Sequence, residues 1–161
     1  MGKKIVITGV AGLLGAHLSR YLLDKGFDVI GIDDLSGGYK DFVDSRIIEN
    51  NKFFEINLTD TEKLNKIFED TKPEYVYHFA AYAAEGLSPF IRNFNYTSNI
   101  ICSANVINAC IKHNVTKIIF TSSMAVYGVG NLPFKEDQRP DPADPYGIAK
   151  YAARIKLLQK M

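Results

Sequence analysis

The sequence predicts an α/β fold: a doubly wound parallel sheet of strand order 3-2-1-4-5, in three layers. Three observations predict it. Short apolar runs rich in β-branched residues recur five times along the chain, the form of strands buried on both faces. Segments of helical period separate them, long enough for the crossovers that parallel strands need. The first run, Ile5-Val-Ile7, passes straight into Gly9, Gly12 and Gly15, with a helical pattern from Leu13.

Each element then follows in order. Leu13 to Lys25 reads as a helix with Leu14, Leu18, Tyr21 and Leu22 on one buried face, and Gly26 stops it. Val29 to Ile32 is the second strand. Asp33-Asp-Leu-Ser-Gly-Gly38 is a loop of groups that bond their own backbone. The third strand is Asn51 to Ile56, ended by Asn57-Leu-Thr-Asp60. Thr59 or Asp60 caps the next helix, whose buried side carries Leu64, Ile67 and Phe68 before Pro73 closes it. Tyr75 to Phe79 is strand four. One long helix is expected from Pro89 to His113, and strand five from Lys117 to Thr121. A loop holding Pro133, Pro140 and Pro142 leads to a last helix opening near Pro145.

Composition narrows the classes of function. With 19 basic and 18 acidic residues and no basic run beyond Lys3-Lys4, nothing points to nucleic acid or an anionic membrane. No apolar run approaches the roughly 18 residues of a membrane span. Cys102 and Cys110 read as buried thiols without metal-type spacing, which fits a reducing compartment. The expected location is cytoplasmic.

Strand, glycine turn and helix stand in the order of a dinucleotide site. Gly9 allows the sharp turn, Gly12 lets the backbone approach a pyrophosphate, and Gly15 lets the helix sit close. Leu13 and Leu14 open that helix, so their backbone faces the same anion. Asp33 ends the second strand 24 residues after Gly9, near the offset of about 20 for a ribose-binding carboxylate.

A second constellation follows strand five. Tyr146 and Lys150, at i and i+4, share one helix face, and Ser123 lies just after the strand. A tyrosine works near neutral pH only if its pKa falls by some three units, about 4 kcal/mol. An ammonium at roughly 4 Å supplies that in a medium of intermediate dielectric, so Lys150 is expected beside the phenol, with Ser123 bonding the reacting oxygen. Tyr21 and Lys25 repeat the spacing, but there Tyr21 is expected in the core. His78 is expected to be a packed structural residue, His17 and His113 to lie on helix surfaces, and Tyr127 to pack or line the pocket. Glu85 has no assigned role.

Taken together, Thr8-Gly-x-x-Gly-x-x-Gly15, Asp33, His78-Phe-Ala-Ala81, Asn99, Thr121-Ser-Ser123, Val126-Tyr-Gly128 and Tyr146-x-x-x-Lys150 resemble the extended short-chain dehydrogenase/reductases. Within these the likeness is to the NAD-dependent sugar epimerase/dehydratase group, UDP-glucose 4-epimerase-like. The resemblance covers the whole chain and implies a Rossmann-type fold, NAD as cofactor and a nucleotide-sugar substrate. It implies Tyr146 as acid/base, Lys150 on the nicotinamide ribose and Ser123 on the sugar hydroxyl. Ala80, Ala81 and Asn99 would lie along the cofactor, with Asn57 and Leu58 near the adenine. Many relatives carry Asp where Asn57 stands; its side-chain oxygen can still accept from the adenine amino group. The 4,6-dehydratase branch places Asp-Glu where Met124 and Ala125 stand, so dehydration is disfavoured.

These readings give one NAD-binding domain over residues 1–161, carrying Ser123, Tyr146 and Lys150, with a C-terminal substrate-binding portion absent. The expected reaction is epimerisation by transient oxidation of a sugar hydroxyl, C4 first. The alternatives are a non-catalytic dinucleotide-binding module or, among enzymes, a nucleotide-sugar reductase or dehydrogenase. Strand five is expected to be an open edge, and this form to bind NAD but turn over sugar poorly. A homodimer is expected through the 89–113 and 145–161 helices, on Ile100, Ile101, Val106, Ile107 and Ile111.

Overall fold

In the computed structural model, which describes residues 2–130 and 132–158, the apolar runs form a single parallel sheet. β1 (Lys4–Thr8) lies at its centre, between β2 (Asp28–Asp33) and β4 (Tyr75–His78). β3 (Phe53–Glu55) and β5 (Lys117–Phe120) flank these, giving the Rossmann-like order 3-2-1-4-5. In the register, Val6 stands opposite Ile30 on one side and Val76 on the other. All three are buried, as a β-branched run with both faces covered requires. β5 pairs with β4 and ends the strand order.

The chain divides into two compact units. The first holds residues up to 80 together with 105–120, and so the whole sheet. Its core gathers Ile5, Ile7, Val10, Leu22, Val29 and Ile47, each aliphatic side chain contributing about 1.5–3 kcal/mol by leaving water. α1 (Leu13–Asp24) buries Gly15, Ala16, Ser19 and Leu22. Of the face expected from the sequence, Leu22 is buried and Leu18 packs against the core, but Leu14 is 55% and Tyr21 58% exposed. The reason is steric. A Cβ at Gly15 would run into the Gly9 carbonyl, so the helix approaches closely through Gly15, Ala16 and Ser19, and Leu14 and Tyr21 turn outward. Tyr21 instead lies under the Lys25 ammonium, 5.6 Å from the ring centroid.

A short helix the sequence reading did not contain, α2 (Ser45–Glu49), follows β2. Asp44 caps it by accepting from the Arg46 amide, and Ile47 anchors it in the core. The following turn carries Asn51 at a positive φ of 53°, which is why β3 begins at Phe53 and not at Asn51. α3 (Thr61–Thr71) is capped by Asp60, which accepts from Lys63 N at 3.0 Å, and buries the expected Leu64, Ile67 and Phe68.

The second unit holds residues 81–104 and those from 121 onward. The helix expected over 89–113 begins later and is not uniform. It consists of α4 (Arg92–Tyr96), one π turn over Thr97–Ile101, and α5 (Cys102–Lys112), whose C-terminal part belongs to the first unit. Ser123 opens a 3₁₀ turn, Met124–Tyr127, by accepting from Ala125 N. α6 (Pro145–Leu158) starts where the sequence placed it.

Candidate active site

In the first unit, three glycines do three different jobs. Gly9 has φ +75°, and a Cβ there would stand 2.6 Å from Ala80 N. Its own amide donates to the Ile32 carbonyl at 2.8 Å, which folds the turn over the end of β2. Gly15 is held small by the Gly9 carbonyl. At Gly12 the nearest atom to an added Cβ is Gly9 O, at an ordinary 3.4 Å, so protein packing does not demand glycine. No side chain caps α1, and no acid lies in its first turn, which leaves the partial positive charge of the helix N-terminus uncompensated.

Asp33 is held against this turn. Its Oδ2 accepts from Ala11 N and its Oδ1 from Leu35 N, both at 2.9 Å. Burial raises its pKa, against the lowering by these two backbone bonds. Each carboxylate oxygen keeps acceptor capacity beyond its one backbone bond.

Asn57 differs from expectation. Its Oδ1 accepts from both Thr59 N and Thr59 Oγ1, and its Nδ2 donates to Asp34 Oδ2 at 2.6 Å. The oxygen expected to serve an adenine amino group is thus occupied within its own loop. Leu58 is buried, with its carbonyl taking the Asn105 amide at 2.9 Å. Ala80 N donates to Thr8 O at 3.1 Å. His78 is buried beneath, bonded to Thr8 Oγ1 at 2.6 Å, as a packed residue should be. His113 is half-buried against Asn65 and Phe68, less exposed than expected.

In the second unit, Ser123, Tyr146 and Lys150 come together. The Ser123 side chain acts on the Tyr146 phenol in the direction that lowers its pKa, and Tyr146 and Lys150 are both buried. The electrostatics reverse the expectation. Burial, chiefly, raises the phenol pKa, with Glu85 and Asp144 adding to the rise and Ser123 opposing it. The Lys150 Nζ donates to Thr121 O at 3.0 Å and stands 5.8 Å from the Tyr146 ring centroid. Burial brings the ammonium down to about 8. Desolvation thus acts on both groups in the direction that disfavours charge.

Asn99 is buried in the π turn, taking Tyr82 N on its Oδ1 at 2.9 Å and donating to Tyr82 O at 3.1 Å. It grips the backbone next to Ala81. Tyr127 stacks on Phe134 and, with Ser122, Ser123, Met124, Glu136 and Arg154, lines an open cleft of about 650 Å³. Glu85, without a role in the sequence reading, bears on the phenol. The reading missed Ser88 and Asn95, both buried at the first turn of α6. For Asn95 a signal existed, since Asn95 and Asn99 lie four apart on one helix face.

Residues 5–159 match the NAD dependent epimerase/dehydratase family. The chain is 34% identical over 148 residues to the UDP-glucose 4-epimerase of Lactobacillus helveticus, covering 91% of this chain and 44% of that one. The crystal structure of Thermotoga maritima UDP-glucose 4-epimerase with UDP-glucose superposes with a TM-score of 0.89 at 34% identity, over 97% of this chain and 50% of that one. The Thermus thermophilus UDP-glucose 4-epimerase complex with NAD gives 0.91 at 29% identity, again over 97% and 50%. The chain spans about half the length of these relatives.

Proposed function

Because this chain belongs to the NAD dependent epimerase/dehydratase family, we propose that it serves the epimerisation of a nucleotide sugar, at C4, through transient oxidation of the sugar hydroxyl. The observation that carries the proposal is that Ser123 acts on the buried Tyr146 phenol, with buried Lys150 one turn on. NAD, when bound, supplies a reversible hydride acceptor with a cationic ring.

The residues fit that cofactor. Gly12 is a glycine that packing does not require, α1 presents an N-terminus without a capping side chain, and Asp33 is oriented by two amides. Gly9, Gly12, Leu13, Leu14 and Gly15 would hold the pyrophosphate through their backbone. Asp33 would take the ribose hydroxyls and repel a 2′-phosphate, which favours NAD over NADP. Leu58, Ala80 and Ala81 would line the cofactor, with Asn57 and Asn99 fixing the loop and backbone beside them.

Tyr146 Oη would take the proton of the sugar hydroxyl as that carbon is oxidised, and return it when the hydride comes back. Ser123 would contact the same hydroxyl. Lys150, anchored on Thr121 O, would bind the nicotinamide ribose. Burial raises the phenol pKa, so Tyr146 would act as base only after giving its own proton to solvent, a loss that the cationic ring of bound NAD would favour. Met124 and Ala125 carry no titratable group, which argues against dehydration.

Two copies would pair through α4–α5 and α6, where Phe94, Ile101, Ile148 and Ile155 are exposed. Of the residues expected there, Val106 and Ile107 are buried instead. No helix among the described residues is long and apolar enough to cross a membrane, and the two buried thiols suit the cytoplasm. The test is incubation with NAD and a panel of nucleotide sugars, separating the products. A C4 epimer supports the proposal. Binding of NAD without isomerisation leaves a dinucleotide-binding module.

A further inference from the structure

The peptide unit joining Pro145 to Tyr146 is gripped at both of its polar ends. Asn95 Nδ2 donates to the Pro145 carbonyl at 3.0 Å, and Ser88 Oγ accepts from the Tyr146 amide at 3.2 Å. Both side chains are essentially without solvent contact, at 1% and 0% exposure. The next amides of α6 are satisfied separately: Gly147 N donates to Asp144 Oδ1 at 2.9 Å and Ile148 N to Asp144 O at 3.0 Å. Asp144 thus serves the Gly147 and Ile148 amides, and Ser88 the orphan amide of Tyr146. Yet Asn95 spends a buried amide on a carbonyl at the start of the helix, where no orphan acceptor needs a partner. Helix stability does not explain that bond.

Its other connection does. Asn95 Oδ1 accepts from Asn99 Nδ2 at 2.8 Å, and Asn99 holds the Tyr82 backbone on both its N–H and its C=O. Ser88 likewise donates to the Glu85 carbonyl at 2.7 Å. An unbroken set of short hydrogen bonds therefore runs from the Tyr82–Glu85 backbone to the peptide that sets the direction of the Tyr146 side chain. Buried networks of this kind move as a unit, because a broken member leaves a desolvated polar group.

We propose that Asn95 and Ser88 are positioning residues for Tyr146, fixing the phenol relative to the Ala81–Tyr82 backbone. This rests on the reading that Ala81 lies along the cofactor. Occupancy of that backbone by NAD is then felt at the first turn of α6 through Asn99 and Asn95.

Amide hydrogen exchange on the whole chain, with and without NAD, tests this. In the wild type, NAD should slow exchange at Gly9–Gly15 and also at Tyr146–Ile148, each by tenfold or more. Asn95→Leu keeps the side-chain size but not the bonds, and should retain the first effect while losing most of the second. Where that variant fails to fold, Ser88→Ala removes a single hydroxyl and is read the same way. Equal NAD protection of Tyr146–Ile148 in wild type and variant overturns the inference, as does wild-type protection confined to Gly9–Gly15. Absence of protection at Gly9–Gly15 in the wild type overturns the cofactor reading itself, and the inference with it.

Discussion

Lys150 donates to the Thr121 carbonyl at 3.0 Å, with its ammonium 5.8 Å from the ring centroid of Tyr146. A buried ammonium held on a carbonyl is a costly group. Its pKa falls from an ordinary 10.5 to about 8, equivalent to about 3 kcal/mol against the charged form. Below about 8 the folded chain carries that cost in full. Between 8 and 10.5 the unfolded chain binds the extra proton, so the cost is relieved as pH rises. Lys150→Met should therefore stabilise the protein at pH 7 by about 1–2 kcal/mol, after loss of the hydrogen bond. Denaturant melts at pH 7 and pH 10 check this: the advantage must shrink at the higher pH. The same variant should bind NAD more weakly.

Tyr146→Phe removes only the hydroxyl. Turnover should drop by at least about 100-fold, the usual worth of a positioned proton donor or acceptor, while the NAD dissociation constant stays within about twofold because the ring still packs. Steady-state kinetics and calorimetry on the same preparation decide it. A Phe variant that keeps most of its activity moves the proton transfer elsewhere.

The three glycines should separate fold from site. Gly9→Ala forces a side chain into a φ of +75° and onto the Ala80 backbone, and should destabilise by more than about 2 kcal/mol. Gly12→Ala meets nothing closer than 3.4 Å, so its stability should change by less than about 1 kcal/mol. Its NAD affinity should nevertheless fall by roughly tenfold or more, since that backbone faces the pyrophosphate. Thermal melts and calorimetry of the pair test the assignment. Equal affinity in Gly12→Ala and wild type refutes it.

Asp33 should set the choice of cofactor. NAD should bind more tightly than NADP, and Asp33→Asn should narrow the difference by removing the charge that repels a 2′-phosphate. Burial raises the carboxyl pKa, so NAD affinity should weaken as pH falls from neutral toward that raised value, where protonation removes acceptor capacity. Calorimetric titrations with both cofactors at two pH values measure each effect.

The strand order came with the fold type that the motifs resemble, and by itself the sequence determined the parallel sheet and the glycine turn. Those follow from β-branched runs, crossover lengths and three-residue glycine spacing, all of which are local. It also located Asp33, Thr59 or Asp60 as a cap, and Ser123, Tyr146 and Lys150 as one group. Tertiary structure decided which way α1 faces, because the close approach at Gly15 made Ala16 and Ser19 the contact and turned Leu14 and Tyr21 outward. It inserted a π turn at Asn99 in a helix whose period reads as unbroken. It also shifted the proton affinities of the site. Spacing put Lys150 one turn from Tyr146, but burial and the Thr121 carbonyl set where the ammonium points and what holding its proton costs. Periodicity reports which residues share a face. Desolvation and hydrogen-bond partners come from residues far away in the chain, and only the folded chain assembles them.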